Sequence, residues 1–163
     1  RAKDGARRVD RNSLRMLWMT IVGSVALAVI APGVLPAAHS QWLEVLYPVG
    51  LVLFIAGLAW RWWAIVHLGR VFTVDVAIAA DHRVVDTGPY RWMRHPSYTG
   101  LIVAFLGFGI CMCNWVALLV LVLPITLAML GRIAVEEAAL DASLGEDYAE
   151  YSRRTKRLLP GIY

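Results

Sequence analysis

Residues able to do chemistry gather at two places in this chain of 163 residues. The first is Gly88-Pro89-Tyr90-Arg91-Trp92-Met93-Arg94-His95-Pro96-Ser97-Tyr98-Thr99-Gly100, and the second is Arg132 with Glu136 and Glu137. An imidazole can move a proton near neutral pH, a guanidinium can grip a carboxylate through two parallel N–H bonds, and carboxylates accept from hydroxyls and ammonium groups. Both places border an uncharged run of 33 residues, Thr99 to Gly131. Ionisable groups at the edge of such a run persist with a partner or a ligand, so together they mark a candidate polar site at a lipid boundary. Taken singly each has a plainer reading. Arg132 and Glu136 stand four apart and suit an ordinary helix ion pair, and Pro96 costs nothing at the first turn of a helix, which also accounts for the lone His95.

Other chemistries fit worse. His67, His95, Cys111 and Cys113 have no metal-ligand spacing, so no metal site is expected. Cys111 and Cys113 lie one residue apart, where a disulfide would be strained. Gly107-Phe108-Gly109 follows no strand and reads as small-residue helix packing rather than a dinucleotide motif. The formal net charge of +4 comes from basic blocks beside apolar runs, a pattern of membrane orientation, and no nucleic acid is expected as a partner.

The elements that must position these groups follow from hydropathy. With 59% hydrophobic and 17% charged residues, the chain is an integral membrane protein expected to form one domain over 1–163. Residues 1–15 carry a basic lead. The uncharged stretch Leu17–Ile30 then begins a first crossing that Pro32, Gly33 and Pro36 are expected to end. No convincing small-residue cleavage site stands near Ala37-Ala38, so this reads as a retained helix rather than a signal peptide. Leu43 to Leu68 is the second span, with Pro48 near its start and Trp60-Arg61-Trp62-Trp63 as interfacial indoles and a snorkelling arginine near its end. Phe72 to Ile78 alternates like a strand, which predicts a short hairpin or extended loop turning at Asp81-His82.

Thr99 to Gly131 as one helix would be about 50 Å long, against a hydrocarbon core of roughly 30 Å. Two helices broken near Cys113-Asn114 are expected, with Pro124 kinking the second. The whole is then an all-α membrane fold of about four transmembrane helices, ending in a helical hairpin and one cytoplasmic helix over Arg132–Arg157. The turns at 31–42 and 113–115 carry no lysine or arginine, while nearly all sixteen basic residues lie in the other polar sections. That asymmetry predicts both termini in the cytoplasm and sets Arg132, Glu136 and Glu137 on the side of His95.

Gly88-Pro89-Tyr90-Arg91, Arg94-His95-Pro96-Ser97-Tyr98-Thr99-Gly100, Glu136-Glu137 and Leu144-Gly145-Glu146-Asp147-Tyr148-Ala149-Glu150-Tyr151 together resemble the isoprenylcysteine carboxyl methyltransferase family and its bacterial and archaeal relatives, over Leu68 to Tyr163. The resemblance implies an S-adenosylmethionine-dependent methyltransferase, expected in a bacterial inner membrane, with residues 1–68 as two N-terminal spans and 69–163 as the cofactor-binding core. It implies a cofactor pocket lined by His95, Tyr98, Glu136 and Glu137, with Tyr90 and Pro96 beside them and Arg94 or Arg132 on the cofactor carboxylate. Arg91 or Arg154 would position the substrate carboxylate, and Glu137 or His95 would serve as base only for an amine acceptor. The expected partner is a lipophilic or lipidated carboxylate reached through membrane lipid. The alternatives weighed beside it are phospholipid or amine N-methylation, an NADPH-dependent membrane reductase of related fold, and a non-enzymatic helical membrane protein.

Overall fold

Lipid offers no partner to a peptide N–H or C=O, so a long apolar run satisfies its own backbone by winding into helix. The computed structural model describes residues 2–69 and 84–159, and for residues 2–8 the backbone alone. Its order is α1 (Ala2–Val34), a 3-10 turn (Pro36–Ala38), α2 (Gln41–Val45), α3 (Tyr47–Leu68), a second 3-10 turn (Gly88–Arg91), α4 (Pro96–Cys111), α5 (Trp115–Leu144) and α6 (Glu146–Arg154). The protein is an all-α integral membrane protein: α1, α3 and α5 are long and apolar enough to cross a bilayer, and α4 is a shorter apolar helix. The strand-like stretch expected over Phe72–Ile78, with its turn at Asp81-His82, lies outside the described residues.

The break expected near Cys113-Asn114 is present, and its chemistry is a helix cap. The Asn114 side chain accepts from the Ala117 N–H at 3.0 Å, satisfying a first-turn donor of α5, and donates to the Leu35 carbonyl at 3.0 Å. With Ser40 N–H donating to the Cys113 carbonyl at 3.0 Å, this ties the turn after α1 to the turn between α4 and α5 at one end of the bundle. Pro96 opens α4 and Pro48 opens α3, where a missing N–H costs nothing.

Three expected boundaries are corrected. Helix α1 runs on through Pro32 to Val34: the missing N–H of Pro32 forgoes the bond to the Ala28 carbonyl, while the Leu35 N–H still closes on the Ala31 carbonyl at 2.8 Å. The second span begins as the separate short helix α2, and α3 starts only at Tyr47. The single helix expected over Arg132–Arg157 is two: α5 continues unbroken through Pro124 and Gly131 to Leu144, Gly145 takes φ +56°, a left-handed cap that suits glycine, and α6 ends at Arg154.

Helix pairing follows small residues. A Cβ on Gly57 would stand 2.5 Å from the Ala104 nitrogen and the Gly100 carbonyl oxygen, and one on Gly100 would stand 2.7 Å from the Arg61 nitrogen, so α3 and α4 touch backbone to backbone. Gly107 meets Gly50 and Phe54 in the same seam, in keeping with the packing role read from Gly107-Phe108-Gly109. The other half of the bundle buries Leu17, Ala28 and Ala31 of α1 against Ala117, Leu121, Ile125 and Met129 of α5, with Tyr98, Phe105 and Phe108 of α4 alongside. Outward-facing residues such as Val22, Val52, Ile55 and Leu127 stay exposed, as lipid contact allows.

A candidate cofactor and substrate site

At the end of the bundle away from the Asn114 cap, the residue before Pro96 is driven out of helical geometry, and His95 takes φ −123°, ψ 56° as the cap of α4. The segment after α6 holds it there. Arg94 N–H donates to the Lys156 carbonyl at 2.7 Å, His95 N–H to the Arg157 carbonyl at 2.9 Å, and the Thr99 hydroxyl to the Leu158 carbonyl at 2.8 Å. The sharp turn at Gly145 is what folds α6 and this segment back onto the start of α4.

The side chains expected to converge do so. Glu136 Oε1 accepts from the Tyr98 hydroxyl at 2.6 Å and from Arg132 Nε at 3.0 Å, and its Oε2 lies 3.7 Å from His95 Nδ1. Glu137 Oε1 accepts from Arg94 Nε at 2.7 Å and lies 3.3 Å from His95 Nε2, while its Oε2 accepts from Arg157 Nε at 2.7 Å. The imidazole thus sits between two carboxylates contributed by adjacent residues of α5. His95 and Arg132 are buried, and the two glutamates and Arg94 are nearly so. Buried ionic groups need this density of partners, because each unpaired charge would cost several kcal/mol in a medium without water.

Arg94 and Arg132, expected to reach toward a cofactor carboxylate, spend donors inside the protein. Arg94 also donates to the carbonyls of Ser152 and Thr155, and Arg132 to the carbonyl of Asp10 and the hydroxyl of Ser13. Tyr90 is buried, its hydroxyl on the Ala64 carbonyl at 3.3 Å, and burial pushes its phenol up to about 12. Pro96 is buried as the first residue of α4. Arg91 and Arg154 are not part of this cluster. They line a separate groove of about 450 Å³ with Asp86, Thr87, Tyr151 and Thr155, in which Arg154 pairs with Asp86 at 2.7 Å.

Four features were not read from the sequence. Arg61, taken as a snorkelling residue, donates instead to the Ser97 hydroxyl at 2.7 Å and the Ser97 carbonyl at 3.3 Å, and among the described residues no carboxylate pairs with it. Arg157 completes the shell of Glu137. Tyr148 has a buried hydroxyl with no hydrogen-bond partner among the described residues, within electrostatic reach of Glu137 and Arg94, and burial raises its phenol pKa. Asp10 pairs with Arg132 from the far end of the chain. Only Arg61 left a usable signal: a cation inside a helix is costly unless it has work or a partner.

The chain is similar to known proteins over most of its length. The model of the isoprenylcysteine carboxyl methyltransferase (ICMT) family matches residues 50–142, more than half of the chain. A probable protein-S-isoprenylcysteine O-methyltransferase of Oryza sativa subsp. indica is 34% identical over 116 residues, covering 70% of this chain and 61% of that protein. Protein-S-isoprenylcysteine O-methyltransferase B of Arabidopsis thaliana is 28% identical over 167 residues, covering 97% of this chain and 82% of its own. A solved structure of a eukaryotic intramembrane Ras methyltransferase ICMT superposes with a TM-score of 0.72 at 29% identity, covering 88% of this chain and 52% of that one. The chain therefore spans about three fifths of the rice relative and half of the solved structure. The relatives named are eukaryotic, so the bacterial and archaeal kinship read from the motifs is not borne out by them.

Proposed function

The chain belongs to the isoprenylcysteine carboxyl methyltransferase family, and from that premise we propose that it is an S-adenosylmethionine-dependent methyltransferase acting on the carboxylate of a lipophilic, isoprenylcysteine-like substrate within the membrane. The observation that carries the reading is the buried His95, Tyr98, Glu136 and Glu137 cluster, with Arg61 beside it on Ser97. The buried Tyr148 hydroxyl near Glu137, with no hydrogen-bond partner among the described residues, supports a polar ligand there, since such a group is costly until something bonds it.

When bound, S-adenosylmethionine supplies a methyl group made electrophilic by its sulfonium. Glu136 and Glu137 would be the acceptors for its hydroxyl and ammonium groups, His95 and Tyr98 would line it with Tyr90 and Pro96 beside them, and Arg94 and Arg132 would set the direction of the two carboxylates toward it. An acceptor carboxylate is ionised at neutral pH and needs no base, so the protein's work is alignment and exclusion of water. Arg61, a cation held by Ser97 and by no carboxylate among the described residues, favours that anion and repels an ammonium group, which tells against amine methylation. Arg91 and Arg154 then hold the polar end of the acceptor in their groove, outside the buried cluster. The absence of basic residues from the Asn114 end supports both termini facing the cytoplasm, with a bacterial inner membrane as the expected setting.

The experiment is a labelled-methyl assay on purified protein with farnesylcysteine-type acids. Formation of a base-labile ester supports the reading, as does a rise of about tenfold or more in acceptor KM for Arg61→Gln, the loss expected for one charge-assisted contact. A base-stable product would move the assignment to N-methylation. Protection against thermal unfolding by NADPH and not by S-adenosylmethionine would move it to a reductase.

A further inference from the structure

Helix α1 packs antiparallel to α5. Leu35 meets Asn114 at one end, and at the other the beginning of α1 meets Arg132. Leu17, Ser24, Ala28 and Ala31 are its buried stripe, and the same face continued toward the N-terminus carries Ser13 and Asp10. Those two residues meet a guanidinium whose side chain is fully buried. One terminal nitrogen of Arg132 donates to the Asp10 carbonyl at 2.9 Å and to the Ser13 hydroxyl at 2.6 Å, and the Asp10 carboxylate pairs with it. The Ser13 hydroxyl in turn donates to the Asp10 carbonyl at 2.9 Å. A second nitrogen of Arg132, Nε, donates to Glu136, which also receives the Tyr98 hydroxyl and faces His95.

A guanidinium is planar, so fixing its terminal nitrogen fixes the direction of its Nε–H. We infer that Asp10 and Ser13 are positioning residues of the site: through Arg132 they set the place of the Glu136 carboxylate, and with it the Tyr98 hydroxyl and the His95 ring. Both lie outside residues 50–142 that match the family model, so the first helix contributes to the site beyond the shared core. Charge supports the assignment. Glu136 and Glu137 face Arg94, Arg132 and Arg157, and Asp10 adds a carboxylate to Arg132 among the described residues. Asp10 shares the Arg132 charge with Glu136, whose oxygens also serve Tyr98 and His95. The inference rests on the cofactor reading only for its consequence in binding, not for the positioning itself.

The test uses the full chain in lipid nanodiscs, with Asp10→Asn, Asp10→Glu, Ser13→Ala, Glu136→Gln and the double variant Asp10→Asn/Glu136→Gln. In ligand-free protein labelled at the tyrosine ring, the Tyr98 resonance reports its bond to Glu136. Asp10→Asn should move that resonance toward its place in Glu136→Gln, Ser13→Ala should move it part of the way, and Asp10→Glu should return it toward wild type. Titration with S-adenosylmethionine should give a dissociation constant about tenfold higher for Asp10→Asn, with the double variant no weaker than Glu136→Gln alone. A Tyr98 resonance unmoved by Asp10→Asn would overturn the inference, leaving α1 only a packing role. A moved resonance in a protein whose wild type binds no S-adenosylmethionine would uphold the positioning and refute the cofactor reading instead.

Discussion

Glu137 is the most heavily bonded carboxylate of the site, and neutralising it is the sharpest perturbation available. Its oxygens accept from Arg94 and Arg157 at 2.7 Å each and lie 3.3 Å from His95, and its side chain is 13% exposed. Glu137→Gln keeps the shape but removes the charge and turns one acceptor oxygen into an NH2 facing a guanidinium. Breaking a buried ion pair by removing one partner costs about 3–5 kcal/mol. Two features reduce that here: Arg157 is 39% exposed and recovers hydration, and Arg94 keeps the carbonyls of Ser152 and Thr155. The expected loss is therefore about 2–3 kcal/mol, below the full buried-pair penalty. Unfolding by sodium dodecyl sulfate in mixed micelles, followed by tryptophan fluorescence from the seven indoles, measures it. Arg94→Met should cost a comparable amount, and Glu137→Gln/Arg94→Met clearly less than the sum, since the second change removes the charge that the first left unpaired. A loss under about 0.5 kcal/mol for Glu137→Gln, or strict additivity, would refute the claim that this carboxylate is the keystone of a buried ionic cluster.

Other consequences are as direct. Gly57→Val should separate α3 from α4 and lower the midpoint of unfolding sharply, because its Cβ would fall 2.5 Å from two backbone atoms of α4. Gly131→Ala, with nothing within 4 Å, should leave the midpoint unchanged or raise it slightly. Asp86→Asn should cost less than about 1 kcal/mol, since the Asp86–Arg154 pair is roughly half exposed on both sides, and a larger loss in the same unfolding assay would contradict a solvent-open groove. Tyr90 ionises near 12 in the folded chain against an ordinary value near 10, so it contributes stability that is complete below pH 10 and declines as pH rises toward 12; Tyr90→Phe should flatten that limb of the stability profile.

The parts of the fold governed by local chemistry were legible in the sequence. Asn114 after a long uncharged run is a helix start, Pro96 is a first-turn residue, and two basic-free turns belong at one end. The convergence of His95 and Tyr98 with Glu136 and Glu137 followed from membrane sidedness combined with motif resemblance, not from spacing alone. What escaped were effects of position within a helix and of long-range pairing. Pro32 looks like a break by type, yet α1 runs two residues past it, whereas Pro124 lies inside α5 as a tolerated proline. Gly145 was read as part of a helix although a glycine followed by Glu146 and Asp147 carries the signal of one helix ending and the next beginning. Arg61 was read from its tryptophan neighbours in sequence, whereas its contact is to Ser97 across the α3–α4 seam. Asp10 and Arg132 are 122 residues apart, and no local pattern joins them.

If the cluster formed by α4 and α5 with the segment after α6 binds the methyl donor, as proposed, affinity for S-adenosylmethionine depends on His95 and Glu137. Calorimetric titration of S-adenosylmethionine into the purified chain, with His95→Ala and Glu137→Ala alongside, tests it most directly. The wild type should bind saturably, and each variant should show a dissociation constant about tenfold higher or more, the loss expected for one charge-assisted hydrogen bond. Wild-type affinity in both variants, or no binding by a wild-type chain that is folded, would contradict it.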